Sequence, residues 1–500
     1  MILPSILYGL FLAGVMLLYW MMPNRQAKLW VMLMSSLYFY ASLQLHYVPL
    51  MMVLVVLNFF LGKALGAPID WRIPNEAWQY EQAEWNRKRS RLLAAGIVLN
   101  VLLLLTFKYL SPALSAFSLS AATQGAAATA IESWIMPLGL SFFTFECIAY
   151  LVDVYRGSPA SKALVEFAAY KMFFPKLISG PITRFHSFAG QMKGSQPDNP
   201  AFPPMSQISE GLWLIATGTV KKLLIADHIG RLVNLSVESL PRAGSGDIWL
   251  LAFAYGLQLY LDFSGYVDIA RGSALLLGFN LPQNFNFPYF STSIATFWRR
   301  WHITLGDWLR NYLYFPLGGS RSGLMRTCLN LMVVMLVAGV WHGDRWGFIV
   351  WGAIHGLALI AHRLSEHYSE KSEALRNFWL TIPGTLTAWA ITQLTVFFSW
   401  IFFRLPNLTD ASLAIRHLFG HPADVQFAQK VYYESFALSR PQISLLLTLV
   451  VALMGIAYAV QRGLKLQLSW PIKVLLMPLC FYLAWMLAPS EASPYIYFDF

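Results

Sequence analysis

An all-α polytopic membrane protein is the fold class this sequence predicts, and three observations carry the prediction. Hydrophobic residues make up 57% of the 500-residue chain and charged residues only 12%, where a soluble domain carries about 25% charged residues. The apolar segments recur at close to the ~20 residues that a helix needs to cross a bilayer. They run continuously rather than alternating, which excludes a β-barrel, and a bilayer demands spanning segments that satisfy their own backbone.

In chain order the apolar segments fall at 2–20, 29–44, 47–64, 92–110, 134–154, 206–224, 246–262, 326–341, 346–363, 382–403, 443–460 and 471–488. They predict about eleven crossings of bilayer thickness. The first has no basic n-region and no small-residue cleavage site, so it reads as a retained span. Segments 112–131, 163–182 and 264–280 are apolar but short or interrupted by Gly, Pro and Ser. They read as re-entrant or interfacial pieces, tolerable only where protein covers them.

Lysine and arginine give the orientation. Arg25 and Lys28 follow the first span, the connection at Gln44–Tyr47 has no base, and Arg87, Lys88, Arg89 and Arg91 cluster in the polar loop 65–91. The loop 112–132 again has none, and Arg156 and Lys162 follow the next span. This alternation puts loop 65–91 in the cytoplasm and both termini in the periplasm of a bacterial inner membrane. The loop 404–442, with Arg404, Arg416, Lys430 and Arg440, runs against the scheme. Three regions follow: spans with the cytoplasmic loop over 1–132, a core over 133–365, and spans with a periplasmic tail over 366–500.

The net charge of +11 resides mostly in loops, so it records topology rather than nucleic-acid binding. Cys147, Cys328 and Cys480 lie in or beside apolar segments without CxxC spacing, as buried small hydrophobes do. No HExxH, P-loop, GxSxG or dinucleotide fingerprint occurs, so neither a metal nor a bound cofactor is expected.

The chemistry concentrates between Tyr260 and Gly356. Asp262, Ser264, Tyr266 and Asp268 interrupt an apolar run, and Asn286 follows. Ionisable groups inside a membrane span are costly and call for a partner or a role; Glu146 and Asp153 raise the same question. Trp298, Trp301, Leu305, Trp308 and Tyr312 share one face of a helix. Arg300, Thr304, Asp307 and Asn311 make another face, flanked by Arg299, His302 and Arg310. This predicts one amphipathic helix at the membrane interface with its aromatic side down, either a plain anchor or a rim that attracts anionic phosphates. Trp341 and His342 end a long apolar run between Gly339 and Gly343, and Gly352 and Gly356 follow at a spacing that allows close helix contact. An imidazole is suited to take a proton from a weak hydroxyl nucleophile at neutral pH. A proton-coupled transporter or a non-catalytic scaffold would explain parts of this pattern and stays open on the residues alone.

Several ordered stretches resemble the membrane-bound O-acyltransferase family. They are Pro137-Leu138-Gly139-Leu140-Ser141-Phe142 leading to Asp153-Val154-Tyr155-Arg156, Phe174-Pro175-Lys176-Leu177-Ile178-Ser179-Gly180-Pro181-Ile182, Asp262-Phe263-Ser264-Gly265-Tyr266, Asn284-Phe285-Asn286-Phe287-Pro288-Tyr289, Phe297-Trp298-Arg299-Arg300-Trp301-His302 to Gly319, and Trp341-His342-Gly343. The resemblance is to the bacterial branch that acetylates alginate and D-alanylates teichoic acid. It implies helices around a central tunnel, with His342 as the catalytic residue and His302 as the second signature histidine. Asp262, Ser264, Tyr266, Asn286, Trp298, Arg299, Arg300, Trp301, Arg310 and Trp341 are expected to line the tunnel or bind the donor. It further implies a cytoplasmic acyl thioester as co-substrate, acetyl-CoA foremost, and a periplasmic acetyltransferase or polysaccharide-modifying partner. The expected acceptor is an exopolysaccharide such as alginate or cellulose, with peptidoglycan O-acetylation or D-alanyl transfer as the alternative.

Overall fold

The computed structural model describes residues 5–68, 75–110, 136–194, 202–466, 468–489 and 493–498. Every regular element among them is helical, as an apolar chain that must satisfy its own backbone requires. Six helical stretches are long and apolar enough to cross a membrane: Arg25–Leu65, Gln79–Leu110, Leu324–His342, Trp346–Lys371, Ile382–Arg404 and Arg440–Gly463. Ile6–Met21 and Trp470–Met486 are shorter apolar helices. The protein is thus a multi-pass membrane protein. The expected piece at 112–131 lies outside the described residues.

Two expectations about local structure are corrected. The polar stretch 65–91 is not a loop throughout, because a helix starts at Asn75 and continues to Leu105. Its charges fall at helical spacing, and Lys88 pairs with Glu84 one turn earlier at 2.7 Å. The segment 264–280 is not broken either, since one helix runs Ser245–Leu276. Gly265 is not a breaker there: a Cβ would come 2.8 Å from the Gly218 carbonyl oxygen, so the residue allows close backbone packing. The stretch 163–182 does fold as a short buried helix, Leu164–Lys171, followed by buried turns.

The chain forms two compact units, residues 1–212 with 269–282, and residues 213–268 with 283–500. In the first, Tyr8, Phe11, Phe39 and Phe174 make one aromatic cluster. Glu146 is buried in the same unit on the Leu140–Tyr155 helix. Its carboxylate accepts from Lys176 Nζ at 2.6 Å and from Lys171 Nζ at 3.1 Å, and the Thr183 N–H and hydroxyl donate to it at 3.0 and 2.9 Å. Both lysines are almost fully buried. Deleting the carboxylate would leave two buried cations uncompensated, which costs about 3–5 kcal/mol where one partner of a buried pair is removed. Glu146→Ala is therefore expected to lower the melting temperature in detergent sharply, whereas Glu84→Ala, at an exposed pair, leaves it nearly unchanged.

The second unit carries the close helix pair Leu324–His342 and Trp346–Lys371. A Cβ on Gly339 would sit 2.4 Å from the Phe348 carbonyl oxygen, and one on Gly352 would sit 2.5 Å from that of Met335. The two helices therefore approach through reciprocal small residues, and the tight connector Gly343-Asp344-Arg345 leaves His342 at the hairpin tip.

Candidate active site

The Trp/Arg segment is not one helix. It breaks into Ile294–Arg300 and Ile303–Leu309, because His302 takes a left-handed conformation with φ 41° and ψ 55°. Such a backbone is uncommon for a residue with a Cβ and needs support from its surroundings. Asn284 supplies it. Its side-chain oxygen accepts from the Thr304 N–H at 3.0 Å and the Thr304 hydroxyl at 2.7 Å, and its carbonyl accepts from the Ile303 N–H at 2.9 Å. Two residues on, the Asn286 N–H donates to the Arg300 carbonyl at 3.0 Å. The segment 284–286 thus straps both sides of the break, and the Asn284 side chain caps the second helix. The break also turns the aromatic side inward: Trp301, Leu305 and Trp308 are buried within this unit, which corrects the expectation of an aromatic face laid on the membrane.

His302 is fully buried. Its ring lies 4.9 Å from Phe263, 6.5 Å from Trp341 and 5.9 Å from Tyr497. His342, also buried, lies 4.7 Å from Trp341, 5.1 Å from Trp351, 4.9 Å from Phe403 and 6.1 Å from Tyr497. Both histidines therefore contact Tyr497, which comes from the short C-terminal helix Ile496–Phe498 and stacks on Phe263 at 3.8 Å. Two imidazoles, one phenol and aromatic walls form a dry centre suited to proton transfer.

Burial pushes the His302 imidazole down to about 3, so the ring is neutral across the physiological range. Burial also raises the Tyr497 phenol, which keeps its proton until a base takes it.

The other expected residues are distributed around this centre. Asp262 and Tyr266 bear on the C-terminal segment: Asp262 accepts from the Ile496 N–H at 3.0 Å and from Lys222 Nζ at 2.7 Å, and Tyr266 packs edge-on against Tyr495 at 5.0 Å. Ser264 is buried. Trp341 lies against both histidines. Trp301 stacks on Phe297 and meets Trp400 at 5.1 Å, and Trp298 donates to His355 Nδ1 at 3.3 Å. Asn286 accepts from Arg462 at 3.2 Å. The arginines stand apart from the histidines in their contacts. Arg299 and Arg310 are exposed, bonded to the Ala295 carbonyl and paired with Asp307 respectively, while Arg300 lies 5.9 Å over the Tyr458 ring.

Three contributors escaped the sequence reading. Tyr497 lay in an aromatic chain end, Lys222 in a Lys221-Lys222 pair within an apolar run, and Asp227 five residues further on. The basic pair inside an apolar stretch was the available signal. A His-x₃-His spacing at His417 and His421 was also passed over; the two rings stack at 3.7 Å, and His417 Nδ1 bonds the Ala243 carbonyl. Among the described residues no group of three His, Cys, Asp or Glu could hold a metal ion.

With this geometry in place, similarity to known proteins is informative. The model of MBOAT, the membrane-bound O-acyltransferase family, matches residues 16–401. The "Probable alginate O-acetylase AlgI" of Azotobacter vinelandii is 36% identical over 405 residues, 80% of this chain and 74% of that protein. Its namesake in Pseudomonas syringae pv. tomato is 35% identical over 88% of this chain and 77% of its own length. The peptidoglycan O-acetyltransferase of Helicobacter pylori is 34% identical over 79% of this chain and 74% of its own length.

The depressed His302 sets a pH dependence. Its value in the fold, about 3, lies below the ordinary 6.5, so the unfolded chain binds the proton first as pH falls. Stability from this group is complete above about 6.5 and is lost on acidification, at up to about 1.4 kcal/mol per pH unit. Melting in detergent between pH 7 and pH 5 is expected to fall further in the wild type than in His302→Gln.

Proposed function

The chain belongs to the membrane-bound O-acyltransferase family, and from that membership we propose that it carries an acetyl group from cytoplasmic acetyl-CoA across the bacterial inner membrane to hydroxyls of an extracytoplasmic polysaccharide. The chain is an O-acyltransferase; the donor, the acceptor and the roles of its residues are the proposal. The observation that carries it is the convergence of His302, His342 and Tyr497 in one aromatic, buried centre.

In this reading His342 is the general base. A hydroxyl is a weak nucleophile at neutral pH and must lose its proton as it attacks. His342 Nδ1 or Nε2 takes that proton, the oxygen adds to the thioester carbonyl, and the carbon–sulfur bond breaks to give the ester. The proton passes to the departing sulfur, leaving free thiol. A thioester is already activated, so one base and correct positioning suffice. The aromatic walls keep water from competing for it. His302, held neutral by burial, and His342 both pack against the Tyr497 ring, whose phenol is the hydroxyl carried into this centre.

The exposed Arg299 and Arg310 supply positive charge that suits the phosphates of the donor. The alternation of basic loops supports periplasmic termini and a cytoplasmic donor side. Relatives named for alginate and for peptidoglycan acetylation support an envelope polysaccharide as acceptor, with alginate or a cellulose-like polymer favoured. A periplasmic partner would complete transfer to a polymer that does not enter the bilayer.

Purified protein in nanodiscs with radiolabelled acetyl-CoA tests the reading by free-thiol release and label transfer to polysaccharide fragments. His342→Ala is expected to lose at least 100-fold in both while still binding the donor; equal release by the two proteins would exclude the base role. Tyr497→Phe keeps the ring packing and removes only the hydroxyl. It is expected to lose transfer by more than tenfold without a change in melting temperature, and undiminished transfer would remove the phenol from the reaction.

A further inference from the structure

The C-terminal segment reaches the histidines, and several polar bonds hold it by its main chain. Lys222 Nζ donates to the Ser493 carbonyl at 2.9 Å and the Pro494 carbonyl at 3.3 Å, and the Ile496 N–H donates to Asp262. Asp262 and Lys222 are themselves an ion pair at 2.7 Å, each with a side chain 2% exposed. Asp227 lies 2.8 Å from the same ammonium. Lys222 also sits 4.4 Å over the Tyr495 ring. Around this anchor Tyr266 packs on Tyr495 and Phe498, and Phe263, one residue after Asp262, stacks on Tyr497.

We propose that Lys222 and Asp262 are positioning residues for the reaction, clamping segment 493–498 by its backbone and so holding Tyr497 between His302 and His342. Neither touches the reacting atoms; each acts through the tail. The arrangement explains why intramembrane charge is retained here: the ammonium has three N–H groups, and carboxylates alone do not absorb them. The remaining capacity goes to the tail carbonyls of Ser493 and Pro494. Asp262 likewise divides its two oxygens between the ammonium and the tail N–H. This inference rests on the proposed reaction only for its kinetic consequence, since the clamp itself is read from tail position.

The test uses the full chain in detergent with 3-fluorotyrosine at position 497, followed by ¹⁹F NMR, beside steady-state transfer. Asp262→Asn is the first variant, because Asp227 still compensates Lys222 and the fold is retained. Ile496→Pro is the second; it removes the N–H donated to Asp262 without changing any charge of the ion cluster, and Ile496→Ala, which keeps the N–H, is its control. The expected result is a buried ¹⁹F resonance in the wild type and Ile496→Ala that moves to the solvent-exposed position in Asp262→Asn and Ile496→Pro. In those two, kcat falls at least tenfold while KM for acetyl-CoA stays within twofold. A resonance unmoved in both variants overturns the clamp, whatever the activity. A displaced resonance with undiminished kcat overturns the assignment of these residues as positioning groups. A displaced resonance alongside a wild type inactive with acetyl-CoA upholds the clamp and rejects the proposed donor, so the two failures are distinguishable.

Discussion

A single buried ammonium constrains much of this structure. Lys222 is 2% exposed, in surroundings where an isolated cation costs several kcal/mol after all relaxation. It persists because Asp227 and Asp262 lie at 2.8 and 2.7 Å. Those carboxylates come from different elements, the Asp227–Glu238 helix and the Ser245–Leu276 helix. The ammonium's own helical turn, Val220–Ala226, is a π-type segment, and wide turns of this kind gather at functional sites. Satisfying one charge thus fixes the relation between three stretches of chain and draws in a fourth, the C-terminal segment. The bonds that the ammonium makes beyond its two carboxylates go to the Ser493 and Pro494 carbonyls, a few residues before Tyr497.

The two histidines reach the phenol by different backbone devices. His302 stands at a left-handed break between two short helices, and the break is stable because Asn284 occupies the donors that the second helix exposes. His342 ends a helix at the tip of a hairpin whose arms meet through Gly339 and Gly352. Neither ring projects from a helix middle. Each sits where the helix stops, so the side chain can aim across rather than along the packed aromatic walls. The strain at His302 is the kind that only an over-determined environment sustains. Here that environment is two backbone bonds and one amide side chain.

How much of this was legible in the sequence follows from the range of each interaction. The helical class and the membrane setting were readable, and His302, His342 and Asp262 stood out as candidates, because apolar length and out-of-place polar residues are local signals. The helical periodicity of Trp298 to Tyr312 was real yet misleading. It is the periodicity of a helix that His302 interrupts, and the interruption depends on Asn284, 18 residues earlier in the chain. Tyr497 was legible only as one of several terminal aromatics, since its partners lie more than 150 residues away. Lys222 was hidden for a related reason: read along the chain it resembles a snorkelling end of a span, and only the packing shows it pointing inward.

Polar bookkeeping gives a third buried histidine a structural part. His355 lies among the same aromatics, 5.0 Å from Trp351 and 6.2 Å from Phe297, and on proximity alone it would join the candidates for a base. Its two nitrogens say otherwise. Nδ1 accepts from Trp298 Nε1, and Nε2 bonds Ser399 Oγ at 2.9 Å. The Ser399 hydroxyl spends its hydrogen on the Val396 carbonyl at 2.7 Å, so its oxygen must accept, and His355 must be the neutral Nε2–H tautomer. The lone pair that a base would use is already committed to an indole. His355 therefore ties Trp298, and through it the helix that leads to His302, to the helix that leads away from His342. A buried imidazole whose acceptor is taken serves as a strut, and this one braces the two elements whose ends carry His302 and His342.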